Sequence, residues 1–185
     1  YDDVKDGVKS FGFTNINSKA EQEKTIFGVS AFLNYHTDLN VVIVTDSIKD
    51  TLYVDYIKEP ERRIKQVMDE GFDIEYYHAE GIDIIEIKEI TKVAKLLREH
   101  SMTEYFEYLV AESDVLLWDL PSIREKSIAM DIYFPITMLL GNVSIIAQMD
   151  NTTLKELDEM IDYYNKYQVK IKGLVISEKK GKSNV

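Results

Sequence analysis

The sequence predicts an α/β domain, a doubly wound and mostly parallel sheet of about seven strands with helices on both faces. Three observations predict it. Short runs rich in β-branched or aromatic residues alternate along the chain with stretches whose apolar residues recur at helical spacing. Residues 115–118 and 143–147 are almost unbrokenly apolar, as strands covered on both faces are. The 185 residues, close to the size of one domain, are 45% hydrophobic and 30% charged, which supplies a core and argues against disorder.

Taken in order, residues 11–14 and Val41–Thr45 read as the first two strands. Residues 24–35 between them place Ile26, Val29, Ser30 and Leu33 on one helical face. Strand, helix, strand is a βαβ unit, which requires a parallel sheet and a right-handed crossover. Residues 60–70 read as a second helix, with Pro60 in its first turn, Ile64, Val67 and Met68 facing inward, and Gly71 after its end. Two short strands follow at 73–77 and 83–87, then a helical region over 90–110 broken near His100 and Ser101. Strands at 115–118 and 143–147 precede Thr153-Leu-Lys-Glu156, a capping box opening a helix with Leu154, Leu157, Ile161 and Tyr164 at core spacing. Residues 171–176 form the last strand. One domain is expected over 1–178, with 179–185 a polar tail.

Composition excludes several functions. Lys+Arg 22 against Asp+Glu 33 gives a formal charge of −11, so no nucleic-acid partner is expected. With Cys 0 there is no disulfide framework, thiolate metal site or cysteine nucleophile. The apolar run 134–140 is far short of the roughly 18 residues of a spanning helix, and no signal-peptide pattern opens the chain, so a cytoplasmic location is expected. His36, His78 and His100 are scattered, without the converging ligands a zinc site needs, and the G-x-S-x-G elbow of a hydrolase is missing. Asp69, Glu70, Asp73, Glu75, Glu80 and Asp83 read as solvated acidic faces. Tyr53, Tyr56, Tyr76, Tyr77, Tyr105 and Tyr108 read as half-buried core residues, with a partner interface as the alternative.

In such sheets ligands bind beyond the carboxyl ends of the strands. Residues 15–25, 46–49 and 119–122 fall there. Two strands ending in Asp46 and Asp119, beside a loop with Lys19, Lys24 and Thr25, point to a Mg-phosphate site. The lysines would neutralise phosphate, Thr25 would ligate Mg²⁺, and the aspartates would hold or orient its water shell.

These residues resemble the deviant Walker ATPases of the ParA/MinD type, and most closely their bacterial tyrosine-kinase (BY-kinase, capsular polysaccharide) branch. The family loop K-G-G-x-G-K-[ST] is similar to Lys19-Ala-Glu-Gln-Glu-Lys24-Thr25, which keeps both lysines and the hydroxyl. Ser113-Asp-Val-Leu-Leu-Trp-Asp-Leu-Pro121 resembles the Walker B segment, with Asp119 in the magnesium position, and Asp46 stands where the family has its second, A′-type aspartate. Leu96-Leu97 and residues 102–109 are similar to the helix leading into that strand, and Val169-Lys-Ile-Lys-Gly-Leu-Val-Ile-Ser177 to the closing family strand. The resemblance implies a P-loop NTPase-like fold.

The departures imply lost chemistry. Ala20, Glu21 and Glu23 replace the loop glycines, whose freedom lets backbone N–H groups approach phosphate. Glu21 and Glu23 would also block the loop by setting negative charge where a polyanion binds. Ile48 replaces the second acid after Asp46, and Ser177 the terminal Asn. Tyr163, Tyr164 and Tyr167 fall on the predicted last helix, so they are not the tyrosine tail of such kinases. Ser18-Lys-Ala-Glu21 is itself a capping box, so the helix is expected to begin one turn early and close the phosphate pocket. The resemblance then implies a pseudo-ATPase without cofactor. It would act as a regulatory or scaffolding subunit by pairing with itself or another protein, a membrane protein included, across the nucleotide-site face. The alternative is an active ATPase or protein-tyrosine kinase that uses ATP and Mg.

Overall fold

The computed structural model describes residues 2–49, 51–56, 61–67, 72–90, 102–125, 130–140 and 142–178, so the tail at 179–185 lies outside it. In chain order the elements are α1 (Asp2–Lys5), β1 (Ser10–Asn15), α2 (Lys19–Thr37), β2 (Val41–Thr45), α3 (Tyr53–Tyr56), β3 (Glu61–Val67), β4 (Phe72–Ala79) and β5 (Ile82–Glu86). They continue with α4 (Met102–Glu112), β6 (Val115–Asp119), α5 (Met130–Leu140), β7 (Asn142–Gln148), α6 (Leu154–Lys166) and β8 (Lys170–Ser177). One sheet has eight strands in the order β3-β4-β5-β2-β6-β1-β7-β8, one more than the sequence suggests. From β5 to β8 all pairings are parallel, and β3–β4 and β4–β5 are antiparallel.

The central strands are apolar throughout because each side chain meets a helix layer. Val42, Val44, Leu116 and Trp118 point into the cluster shared with α4, α5 and α6. Val41, Ile43, Val115 and Leu117 point into a second cluster with Ile26 and Leu33 of α2. All five residues of β2 and all five of β6 are buried. At about 25 cal/mol per Å² of apolar surface, this two-sided burial is the main stabilising term of the fold. Gly12 sits at a close approach: a Cβ there would lie 2.9 Å from a Leu140 methyl and 3.1 Å from one of Val143, so its absence lets α5 approach β1.

Three expectations are corrected. Residues 60–70 are not a helix: 61–67 form β3, while Pro60 and 68–71 lie outside the described residues. The strand pairs along its whole length with β4, Glu61 to His78 through Val67 to Phe72, and Arg62 forms an ion pair with Glu75 across it. Ile64 is 64% exposed rather than turned inward. Pairing with a distant strand overrides a helical spacing that only a few residues carried. Glu80 and Gly81, both at positive φ, make the two-residue turn from β4 to β5. The second correction concerns the predicted region 90–110, of which α4 takes Met102–Glu112; the break near His100 and Ser101 lies outside the described residues.

Third, α2 does begin early, at Lys19, but its capping box does not form. Ser18 makes no side-chain cap, and its own N–H donates to Asn15 Oδ1 at 3.0 Å. At α6 the predicted box is intact. Glu156 N–H donates to Thr153 Oγ1 (3.3 Å) and Thr153 N–H to Glu156 Oε2 (2.8 Å). The Thr153 amide, the Asn17 amide and the Thr153 hydroxyl together hold the Glu156 carboxyl down at about 2. Thr153→Ala is therefore expected to lower stability by about 1 kcal/mol in urea unfolding; an unchanged midpoint would mean the cap contributes nothing.

Of the tyrosines, Tyr53 is fully buried, and Tyr76, Tyr77 and Tyr108 pack against the two clusters; the side chains of Tyr56 and Tyr105 lie outside the described residues. Among the described residues no helix is long and apolar enough to cross a membrane.

Candidate functional site

Strands β2, β6 and β1 lie side by side and end together, so Thr45, Asp119 and Asn15 meet at one rim of the sheet. Each strand then passes into a connecting segment: residues 16–18 into α2, 46–49 and 51–52 before α3, and 120–125 after β6. Leu120 N–H donates to Phe13 O (2.9 Å) and Thr14 Oγ1 to Pro121 O (3.1 Å), which stitches the segment after β6 to β1.

Gln22 fills the space between them. It is fully buried in the second helical turn made by the P-loop-like stretch. Its Nε2 lies within hydrogen-bond reach of Asp119 Oδ1 (2.6 Å), Phe13 O (2.9 Å) and Leu120 O (2.9 Å), its two hydrogens shared among the three, and its Oε1 accepts from Asn15 Nδ2 (2.6 Å). Asp119 is fully engaged, because its Oδ2 accepts from Thr45 Oγ1 (2.9 Å). One carboxamide thus ties together groups of β1, β6 and the segment after β6. The sequence reading passed over Gln22, the variable position of the loop, as it did Asn15 as a contact, Thr45, Tyr53 and Tyr133.

The rim is electrostatically costly. Burial, partly offset by the Thr45 hydroxyl and raised again by the Glu23 charge, lifts the Asp119 carboxyl to about 7. Glu23, 3% exposed, is also raised by burial, against the N–H of Leu52 that donates to its Oε2 at 2.8 Å. Its Oε1 lies 3.9 Å from Lys19 Nζ. The Tyr53 hydroxyl faces this pair of acids, and burial followed by the charges of Asp119 and Glu23 pushes it well above the usual phenol range. Asp46, on the exposed side, accepts from Tyr133 Oη at 2.6 Å, which joins the segment after β2 to α5.

The predicted site residues divide between two places. Lys19, Asp46 and Asp119 line one cavity with Asn15, Pro121 and Glu125, but its free volume is about 10 Å³, room for one water at most. Lys24 and Thr25 lie elsewhere, on the rim of a separate apolar pocket of about 460 Å³ with Phe11, Phe13 and Phe32. The helix explains this: at about 100° per residue, Lys24 sits about 200° around α2 from Gln22. Lys24 Nζ contacts Glu21 Oε1 (2.7 Å), and Thr25 Oγ1 donates to Glu21 O (2.8 Å). Of the two acids expected to block the loop, the half-buried Glu21 pairs with Lys24 and Glu23 tethers the segment before α3. Among the described residues no group of three or more His, Asp and Glu could hold a metal ion. The residues of this conformation do not fit Mg-ATP: the threonine hydroxyl serves the helix backbone, both Asp119 oxygens are taken, and the loop lysine faces away.

No family model and no curated protein sequence matches the chain. In three dimensions it is similar to the chimerical protein CapA2B2, at 13% identity and a TM-score of 0.67, over 97% of this chain and 81% of that one. It is also similar to the kinase domain of the Escherichia coli tyrosine kinase ETK (13%, TM-score 0.64, 96% and 71%) and to a ParA family ATPase from Chlorobium tepidum (13%, TM-score 0.60, 96% and 76%). The domain therefore has the α/β fold of the ParA/MinD-type P-loop ATPases and the bacterial tyrosine-kinase domains.

Proposed function

We propose that this domain is a catalytically degenerate member of that fold, a pseudo-ATPase that works as a regulatory or scaffolding protein. The observation that supports the reading is the buried Gln22 carboxamide, which hydrogen-bonds Asp119 and Asn15 from within the chain at the rim where the strands end. Glu23 adds a buried negative charge where the fold otherwise accepts a polyanion, so its presence opposes nucleotide entry. The rim then serves as a fixed surface: Glu23 clamps the segment leading to α3, Tyr133 clamps Asp46, and Lys19 stays partly exposed between them. A protein partner, a second copy or a different chain, docks on this face. The likeness to tyrosine-kinase domains directs the search for it to membrane proteins of bacterial polysaccharide export, surface assembly or intracellular positioning.

A second reading, an active ATPase or tyrosine kinase, draws support from the convergence of Lys19, Asp46 and Asp119 on one cavity. It requires the Gln22 side chain to swing out and the first turns of α2 to unwind. Calorimetric titration of Mg-ATP and Mg-ADP decides between the two. The degenerate reading expects no heat up to millimolar nucleotide, and Lys24→Ala indistinguishable from the parent. Micromolar binding that Lys24→Ala abolishes would establish the active reading instead.

A further inference from the structure

The apolar pocket bordered by Lys24 and Thr25 takes no part in closing the rim. It lies along α2, over the side of the sheet on which Phe13 of β1 and Ser144 of β7 stand as register partners, and reaches Lys172 on the edge strand β8. Its volume of about 460 Å³ falls within the roughly 300–1,000 Å³ of small-molecule sites. Phe11, Phe13 and Phe32 give it an aromatic wall, and Phe32 is 51% exposed, so the pocket is reached from solvent. The lining has features that the fold alone does not require. Gly28 stands inside α2, where glycine weakens a helix, yet a Cβ there would meet nothing within 4 Å. Its effect is to leave the helix backbone open to the pocket. Ser144 is the polar residue in the otherwise apolar run 143–147, and it too lines the pocket. Lys24 and Lys172 outnumber Asp3, the one acid of the described lining, on a chain whose formal charge is −11.

We propose that this pocket binds a medium-chain fatty acid, its chain against the phenylalanines and the Gly28 backbone and its carboxylate held by the lysines. Each feature of the lining has a counterpart in that ligand. Moving an apolar chain from water onto Phe11, Phe13 and Phe32 supplies affinity. The carboxylate answers a lining of net positive charge, which a neutral apolar molecule would not. Lys172 is paired with Asp3 at the surface, an arrangement that contributes little by itself. An ammonium has three N–H donors, so Lys172 can hold Asp3 and a ligand oxygen together, and the Ser144 hydroxyl is a further donor in the pocket. Without a side chain at Gly28, the ligand can lie directly on the helix. The pocket is on the other side of α2 from Gln22, and its occupancy does not depend on whether nucleotide binds at the rim.

Isothermal titration of octanoate into the parent chain, with octanol as its uncharged counterpart, tests the proposal. Octanoate is expected to bind below millimolar concentration, and each methylene added from hexanoate to octanoate should tighten Kd about fourfold. Octanol should bind about tenfold more weakly than octanoate. Lys172→Gln should weaken octanoate about tenfold and leave octanol unchanged. Gly28→Leu, which fills the pocket from the helix, should abolish the binding of both. The same substitution should raise Tm, because leucine favours a helix more than glycine does, and that rise shows the fold intact. No heat up to millimolar octanoate overturns the proposal. So does octanol binding as tightly as octanoate, or an octanoate affinity that survives Gly28→Leu or ignores Lys172→Gln. Lys172 is exposed, so its variant reads the site even if Gly28→Leu impairs folding.

Discussion

Gln22→Ala is expected to lower the stability of the domain by roughly 3–5 kcal/mol. The reasons are additive in kind. The substitution leaves Asn15 Nδ2, the Leu120 carbonyl and one Asp119 oxygen without the partner they now share, while the Phe13 carbonyl keeps the Leu120 N–H. It also opens a void at a position with no exposure. A buried polar group stripped of its partner costs about 1–3 kcal/mol, and several are stripped at once; water entering the void recovers part of this. In a chain of this length such a loss lowers Tm on the order of 10 °C. Differential scanning calorimetry measures it. A loss below about 1 kcal/mol would show that the carboxamide merely touches the rim and does not close it.

The second large effect is on pH. Asp119 has a carboxyl raised from the ordinary range to about 7 in the folded state, chiefly by burial. A carboxyl whose folded pKa lies above its unfolded value binds its proton more tightly when folded. Its contribution to stability is therefore fully present below the unfolded value near 4 and is lost as pH rises through about 7. The difference amounts to several kcal/mol at most, since one pKa unit is about 1.4 kcal/mol. Glu23 shifts the same way, and the half-buried Glu156 the opposite way, so the whole curve mixes signs. Asp119→Asn isolates one group: its amide still accepts from Gln22, and can donate to Thr45 Oγ1. Chemical unfolding across pH 4 to 8 should show the parent losing stability toward alkaline pH relative to this variant, with the two curves closest in acid. Parallel curves would mean that Asp119 is charged and adequately solvated in the folded protein.

The parallel core was legible because strands buried on both faces need apolar residues at every position, and Val41–Thr45 and Val115–Asp119 have them almost throughout. The α6 capping box was legible because both of its partners lie within four residues of sequence. Residues 60–70 misled because Ile64 and Val67 fit a helix as well as a strand, and the choice rests on β4, which the local pattern does not contain. Gln22 was the hardest residue to find. A glutamine three residues into an amphipathic helix reads as solvated, and its burial depends on Asp119, 97 positions away. The resemblance of the loop pointed to the rim where Asn15, Thr45 and Asp119 meet, and the Ser18–Glu21 pattern pointed to the early helix start. It could not reveal that winding the loop into a helix would carry Lys24 and Thr25 to the other side of α2.

The central claim is that the P-loop-like stretch is a formed helix, closed from within, and amide hydrogen exchange over residues 19–25 reads this directly. The amides of Gln22, Glu23, Lys24 and Thr25 have helical acceptors, that of Gln22 being Ser18 O at 3.2 Å. The account expects them to exchange as slowly as the neighbouring turns of α2, with rates unchanged by saturating Mg-ATP. Fast exchange in the free protein that becomes slow when Mg-ATP is added would contradict it, because those amides would then be open and waiting for phosphate.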